Sequence, residues 1–203
     1  MYSIRFPFFL RFPLKNVIWR MPKPKKTVYL TFDDGPIPEV TPWVLDLLEK
    51  EEIKATFFCV GENVFKHPDV YQQVLKAGHS VGNHTYNHLP TFRCDDKTYQ
   101  DNIEKASQYI KSDLFRPPHG LIRPSQIFKL RKKYSIVLWD VISADFDRTI
   151  TPDKCLENVI KNVRNGSVIV FHDSLKAEDN LRFALPRAIK YLKDEGYSFA
   201  TIE

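Results

Sequence analysis

Val28-Tyr29-Leu30-Thr31-Phe32-Asp33-Asp34-Gly35-Pro36 is an apolar run that stops on two carboxylates and a Gly-Pro turn. A strand without polar alternation is buried on both faces, the mark of a parallel sheet covered by helices. Adjacent carboxylates at its end are unfavourable unless positive charge sits beside them. Further on stands His84-Thr85-Tyr86-Asn87-His88. Histidines at i and i+4 are expected on one face of a helical turn, where both rings can close on one ion. One carboxylate with that pair makes three ligands, and the second carboxylate is left over as a base. The combination points to metal-assisted hydrolysis.

Outward from this core, strands alternate with helix-period segments. Strands are expected at Val28–Phe32, Lys54–Val60, Ser80–Gly82, Leu114–Arg116, Ser135–Val141, Ser167–Phe171 and Tyr197–Ile202. Thr41-Pro42 and Thr151-Pro152 each predict an N-cap followed by proline at the first helical position. Other helices are expected from Pro68 to Ala77, over 97–110, over 124–133, and through Leu181, Leu185, Ile189 and Leu192. The polar residues of interest fall at strand carboxyl ends: Asp33 and Asp34, His84 and His88, Arg116, Asp145, and His172. In a closed βα barrel these ends converge on one face. An open doubly wound sheet would want a Gly-rich phosphate loop, and a chain with seven glycines has none. The fold class is therefore α/β, a distorted parallel (β/α) barrel of seven or eight strands, TIM-barrel-like.

The chain has 203 residues, 43% of them hydrophobic, enough for one core. Its net charge of +5 is uneven. Residues 1–26 carry seven Lys and Arg and no acid, so the remainder is net −2. The basic balance thus belongs to an aromatic N-terminal arm, and a nucleic-acid partner is not expected. The arm's apolar runs are broken by Arg5, Pro7, Arg11 and Pro13, too short for a signal peptide or a transmembrane segment. Phe8, Phe9, Phe12 and Trp19 are expected to pack on the body, with weak membrane-surface contact as the alternative. With no export signal and three scattered cysteines, Cys59, Cys94 and Cys155, a cytoplasmic location is expected.

The two opening motifs join Arg116-Pro117-Pro118-His119-Gly120, Trp139 with Asp145-Phe146, and Val170-Phe171-His172. Together they resemble the five ordered motifs of polysaccharide deacetylases, the NodB-type homology domain of carbohydrate esterase family four. The resemblance spans about residues 27–202 and implies a catalytic domain over 27–203. It implies removal of N-acetyl groups from N-acetylhexosamine units of a chitooligosaccharide- or peptidoglycan-like glycan. An O-acetyl esterase on acetylxylan and a catalytically silent glycan-binding member are the alternatives. By the resemblance Asp34, His84 and His88 hold one divalent metal, Zn²⁺ first, with Co²⁺, Ni²⁺ or Mn²⁺ as alternatives. Asp33 is the base, His172 the acid, Arg116 the partner of Asp33, and Asp145 the residue that tunes His172. The backbone N–H of His119 faces the oxyanion, and Trp139, Phe146 and Val170 line the acetyl pocket.

The chain departs from the family pattern at Ile142, usually an acid, and at Phe146, His119 and Val170. The missing acid at 142 leaves the support of Arg116 open, with Asp140 as a compensating carboxylate. Asp140 and Asp147 are also rivals of Asp145. Taken singly, Asp33-Asp34 fits a plain turn, Arg116 an ordinary ion pair and His172 a strand-end cap; their joint occurrence makes the site.

Overall fold

The protein is described by a computed structural model covering Ile4, Arg5 and residues 17–203. In chain order the elements are β1 (Val17–Ile18), β2 (Thr27–Asp33), α1 (Thr41–Lys50), β3 (Thr56–Cys59), α2 (Gly61–Lys66), α3 (Pro68–Lys76) and β4 (Ser80–Asn83). There follow α4 (Asp96–Ser107), β5 (Leu114–Phe115), α5 (Pro124–Leu130), β6 (Ser135–Val137), β7 (Val141–Ile142), α6 (Pro152–Ile160), β8 (Val168–His172), α7 (Glu178–Asp194) and β9 (Ser198–Phe199). The sheet runs β1-β6-β5-β4-β3-β2-β8-β7, with β9 also on β2, and every strand pair is parallel.

Alternation along β2 sorts its residues. Val28, Leu30 and Phe32 point outward to a helix-covered core with Leu48, Leu185 and Ile189. Tyr29 points inward and packs with Phe58, Leu114, Val137, Val168 and Ile202. Leu114 and Val137 come from β5 and β6, three and four places from β2 in the sheet order, and reach Tyr29 only because the sheet curls on itself. The architecture is a distorted (β/α) barrel, and Thr31 and Asp33, on the inward face of β2, lie above that interior cluster.

The barrel's seam lies between the edge strands β1 and β7. The N-terminal segment fills it: the Leu138 N–H donates to the Ile18 carbonyl, Arg20 bridges Ser167, and the Met21 N–H donates to Gly166. Ile142 donates to the carbonyl of Ile4. The seam is tight at Gly166, where φ is +80° and an added Cβ would lie 2.3 Å from the nitrogen of Pro22. Gly166→Ala is expected to destabilise by about 3 kcal/mol, from left-handed strain plus overpacking. Thermal unfolding should report a midpoint roughly 6–12 °C lower.

Several expectations are corrected. The run expected as one strand at Ser135–Val141 is two, because the chain leaves β5 after Ile136, ends on β1 at Val137, and resumes on β8 at Val141. Thr151 caps α6, accepting from the Lys154 N–H. Thr41 does not cap α1; Val40 holds that position, and the Thr41 hydroxyl accepts from Ile37 and donates to Asp173. Strand β1 and helix α2 were not anticipated. Trp19 is buried, as expected, while Phe8, Phe9 and Phe12, and with them the arm's membrane contact, lie outside the described residues. Among the described residues no helix is long and apolar enough to cross a membrane.

Candidate active site

Asp33 ends β2 and is almost fully buried beside Arg116, which is fully buried just past β5. Arg116 Nη1 donates to Asp33 Oδ1 at 2.6 Å and to the Thr31 hydroxyl at 2.8 Å. Its Nε and Nη2 donate to the carbonyls of Val137 and Leu138, and the guanidinium lies over the Phe58 ring at 4.0 Å. The support for Arg116 is thus a hydroxyl and two main-chain carbonyls. Asp140 does not supply it: its carboxylate is gripped by Arg164 at 2.7 and 2.8 Å and by Ser167. With carbonyls available, the guanidinium needs no acid at Ile142.

His84 and His88 are not on a helical turn, contrary to the expectation from their spacing. They flank an irregular loop leaving β4, with left-handed φ at Thr85 (66°) and His88 (55°). Side chains hold that path: Asn83 Oδ1 accepts from the Thr85 N–H, Asn102 Oδ1 from Tyr86, and the Thr85 hydroxyl from Leu89. The carbonyls of Thr85 and Tyr86 take the first two N–H groups of α2, tying the loop to that helix. The imidazoles still converge. His88 Nε2 lies 3.3 Å and His84 Nε2 3.8 Å from Asp34 Oδ1.

The donor set fits a metal. Ligand atoms about 2.1 Å from a tetrahedral ion stand about 3.4 Å apart, close to both separations. The three ligand atoms lie within 4.8 Å of one another. His84 Nδ1 sits 2.7 Å from the Arg116 carbonyl, which can only accept, so the ring proton is on Nδ1 and Nε2 offers a lone pair toward Asp34. Burial pushes His84 down to about 4, keeping the ring neutral. Burial alone would raise the Asp34 carboxyl, but His172 and the two imidazoles outweigh it and hold it low.

His172 closes β8, directly beside Asp33 in the sheet register. Asp145 reaches it twice, its oxygens 2.7 Å from both the His172 backbone N–H and Nδ1. Burial works to lower the imidazolium, but the charge and hydrogen bond of Asp145 overcome it and push His172 up to about 9. Asp147 instead closes a turn on Thr149, so Asp145 is the carboxylate that meets His172. Asp173 was not foreseen: it receives the Gly35 N–H and the Thr41 hydroxyl and fastens the Asp33–Pro36 turn. A Cβ at Gly35 would fall 1.9 Å from Asp173 Oδ2, so only glycine fits there. Burial pushes Asp173 up to about 8.

These groups open on one cavity of about 610 Å³. Of the expected residues Asp33, Asp34, His84, His88, His119, Trp139, Phe146 and His172 line it. Arg116, Asp145 and Val170 stand behind that lining; Val170 is buried in the sheet between Thr31 and Ile142. His119, at φ 60°, sets its ring edge-on to His88 at 4.8 Å. Gly120 lies so close to Trp139 that a Cβ would meet its ring at 2.4 Å. The apolar wall also includes Trp19 from the N-terminal seam, and Leu138 and Ile142, and Lys176 stands on the lining as well.

Comparison with known proteins bears on this site. The family described as polysaccharide deacetylase matches residues 20–137. A peptidoglycan-N-acetylglucosamine deacetylase of Bacillus cereus is 35% identical over 198 residues, covering 94% of this chain and 92% of that protein. A peptidoglycan-N-acetylmuramic acid deacetylase of Bacillus subtilis is 35% identical over 186 residues, covering 88% of this chain and 38% of the other. The crystal structure of a peptidoglycan N-acetylglucosamine deacetylase in complex with 4-naphthalen-1-yl-N-oxidanyl-benzamide superposes with a TM-score of 0.88 at 32% identity. That match covers 97% of this chain and 95% of the other. With likeness running through nearly the full length, and with the strand-end residues drawn onto one cavity, the chain belongs to the polysaccharide deacetylase family.

Proposed function

We propose that this glycan deacetylase hydrolyses the acetamide of N-acetylhexosamine units, with Asp33 as general base and His172 as general acid. The observation that carries the reading is two proton-handling groups, Asp33 held by Arg116 and His172 held by Asp145, facing one cavity with the Asp34–His84–His88 set. Arg116 holds the Asp33 carboxylate in place, where it accepts the proton of the attacking water. His172 keeps its proton at neutral pH and delivers it to the departing amine, a poor leaving group otherwise. Asp34, His84 and His88 would hold a divalent cation, zinc first, which would supply Lewis acidity toward the acyl carbonyl and the attacking water. The backbone at His119 contributes a donor to the oxyanion, and Trp139 and Phe146 flank the acetyl methyl.

The test is acetate release from N-acetylchitooligosaccharides, peptidoglycan and acetylxylan, before and after chelation and with zinc returned. Release from the N-acetylated glycans, lost on chelation and restored by zinc, is the expected result. Release from acetylxylan alone would make the enzyme an esterase. Binding without release from any zinc-loaded sample would make it a silent member.

A further inference from the structure

Among the described residues, Lys176 is the one lining residue of the cavity with a basic side chain outside the histidines, and the mechanism leaves it unused. Its Nζ lies 5.5 Å from the centroid of Phe146, whose ring stands edge-on to His172 at 5.0 Å. The ammonium therefore hangs next to the group that meets the leaving amine. Its loop is fixed: Arg148 donates from Nε to the Lys176 carbonyl and from Nη2 to that of Leu175, both at 3.3 Å.

The acids that line the cavity or stand behind it are already engaged, as is Glu178 at the start of α7. Asp33 is held by Arg116, Asp34 faces the histidine pair, Asp145 is on His172, and Glu178 pairs with Arg182. Lys176 makes no ion pair among the described residues. An unpaired cation anchored at the mouth of a sugar-sized cavity is a ready partner for an anion that arrives with the ligand.

Building on the deacetylase reading, we infer that Lys176 is a specificity-determining residue that pairs with a carboxylate carried by the glycan near the reacting acetamide. The substrate class is an acidic amino-sugar glycan, such as one whose N-acetylhexosamine bears a lactyl ether. Neutral oligomers of the same length lack this contact.

The test compares a tetrasaccharide of alternating N-acetylglucosamine and N-acetylmuramic acid with its lactyl methyl ester, which differs only in charge. The zinc-loaded full chain should favour the acid in kcat/KM by about fivefold, the size of one exposed ion pair. That ratio should fall toward unity in Lys176→Gln, persist in Lys176→Arg, invert in Lys176→Glu, and shrink in the wild type in half-molar salt. A wild-type ratio of one, or a ratio that Lys176→Gln leaves unchanged, overturns the inference. Calorimetric binding of the same two ligands gives the ratio independently of turnover. A chain that binds with the expected ratio yet releases no acetate refutes the deacetylase reading and supports the role of Lys176.

Discussion

Arg116→Met is expected to lower folding stability by about 3–5 kcal/mol, the usual effect of leaving one member of a buried ion pair alone, and to abolish acetate release. Every guanidinium nitrogen of Arg116 is occupied, on Asp33, Thr31, Val137 and Leu138. Methionine fills much of the volume but strands a buried carboxylate and two carbonyls where β6 ends. The carboxylate, no longer held by Arg116, also loses the position from which it accepts the proton of the attacking water. Arg116→Lys should recover only part of the loss, since one ammonium cannot span acceptors on β2 and β6 together. Asp33→Asn separates the two effects: it keeps an acceptor for Arg116 and should lose roughly 10²–10⁴ in turnover with far less destabilisation. The double variant Asp33→Leu/Arg116→Met should regain stability without activity. Urea denaturation alongside the acetate assay reads all four. A loss below about 1 kcal/mol in Arg116→Met, the level of a surface pair, would mean that the ion pair is not what holds this end of the barrel.

The parts of this site that were legible in the chain are those where chemistry restricts the residue type. Asp34, His84 and His88 stand out because few side chains ligate a metal, and Asp33, Arg116 and His172 because charge at the end of an apolar strand demands a reason. Main-chain partners carry no such signature. The vacancy at Ile142 therefore pointed to Asp140, whereas the carbonyls of Val137 and Leu138 fill the role. Spacing misled at His84–His88: i, i+4 reads as a helical turn, but Asn83 and Asn102 bend the loop through left-handed φ at Thr85 and His88. Both routes bring the rings together, so the ligand set was right and its scaffold wrong. Trp19 was expected to pack on the body, but its place on the cavity wall was not legible, because the two-residue strand before it has no period to read. Lys176 escaped because a single loop lysine is ordinary until the barrel places it on the cavity.

Asp145→Asn should move the alkaline limit of the enzyme markedly toward lower pH. In the wild type His172 is raised to about 9 from an ordinary 6.5, with burial opposing and Asp145 prevailing. The proton donor is therefore present from neutral pH up to about 9. Asparagine can still accept a hydrogen bond from Nδ1 but removes the charge, leaving burial opposed only by the more modest pull of Asp34 and Asp33, so the imidazole titrates well below its wild-type position. At neutral pH the variant would hold a neutral ring with no proton for the amine, and kcat should fall roughly 10²–10³. Lowering the pH should recover part of that loss, which a merely structural defect would not allow. Stability supplies a second readout with a definite sign. A base whose folded pKa is raised stabilises fully below its unfolded value, here 6.5, and the contribution disappears as pH rises through about 9. Denaturant unfolding of the wild type should therefore weaken between those limits, and that component of the slope should vanish in Asp145→Asn. Equal pH slopes in the two proteins, with coincident alkaline limits in kcat, would show that the Asp145 carboxylate does not set the protonation of His172.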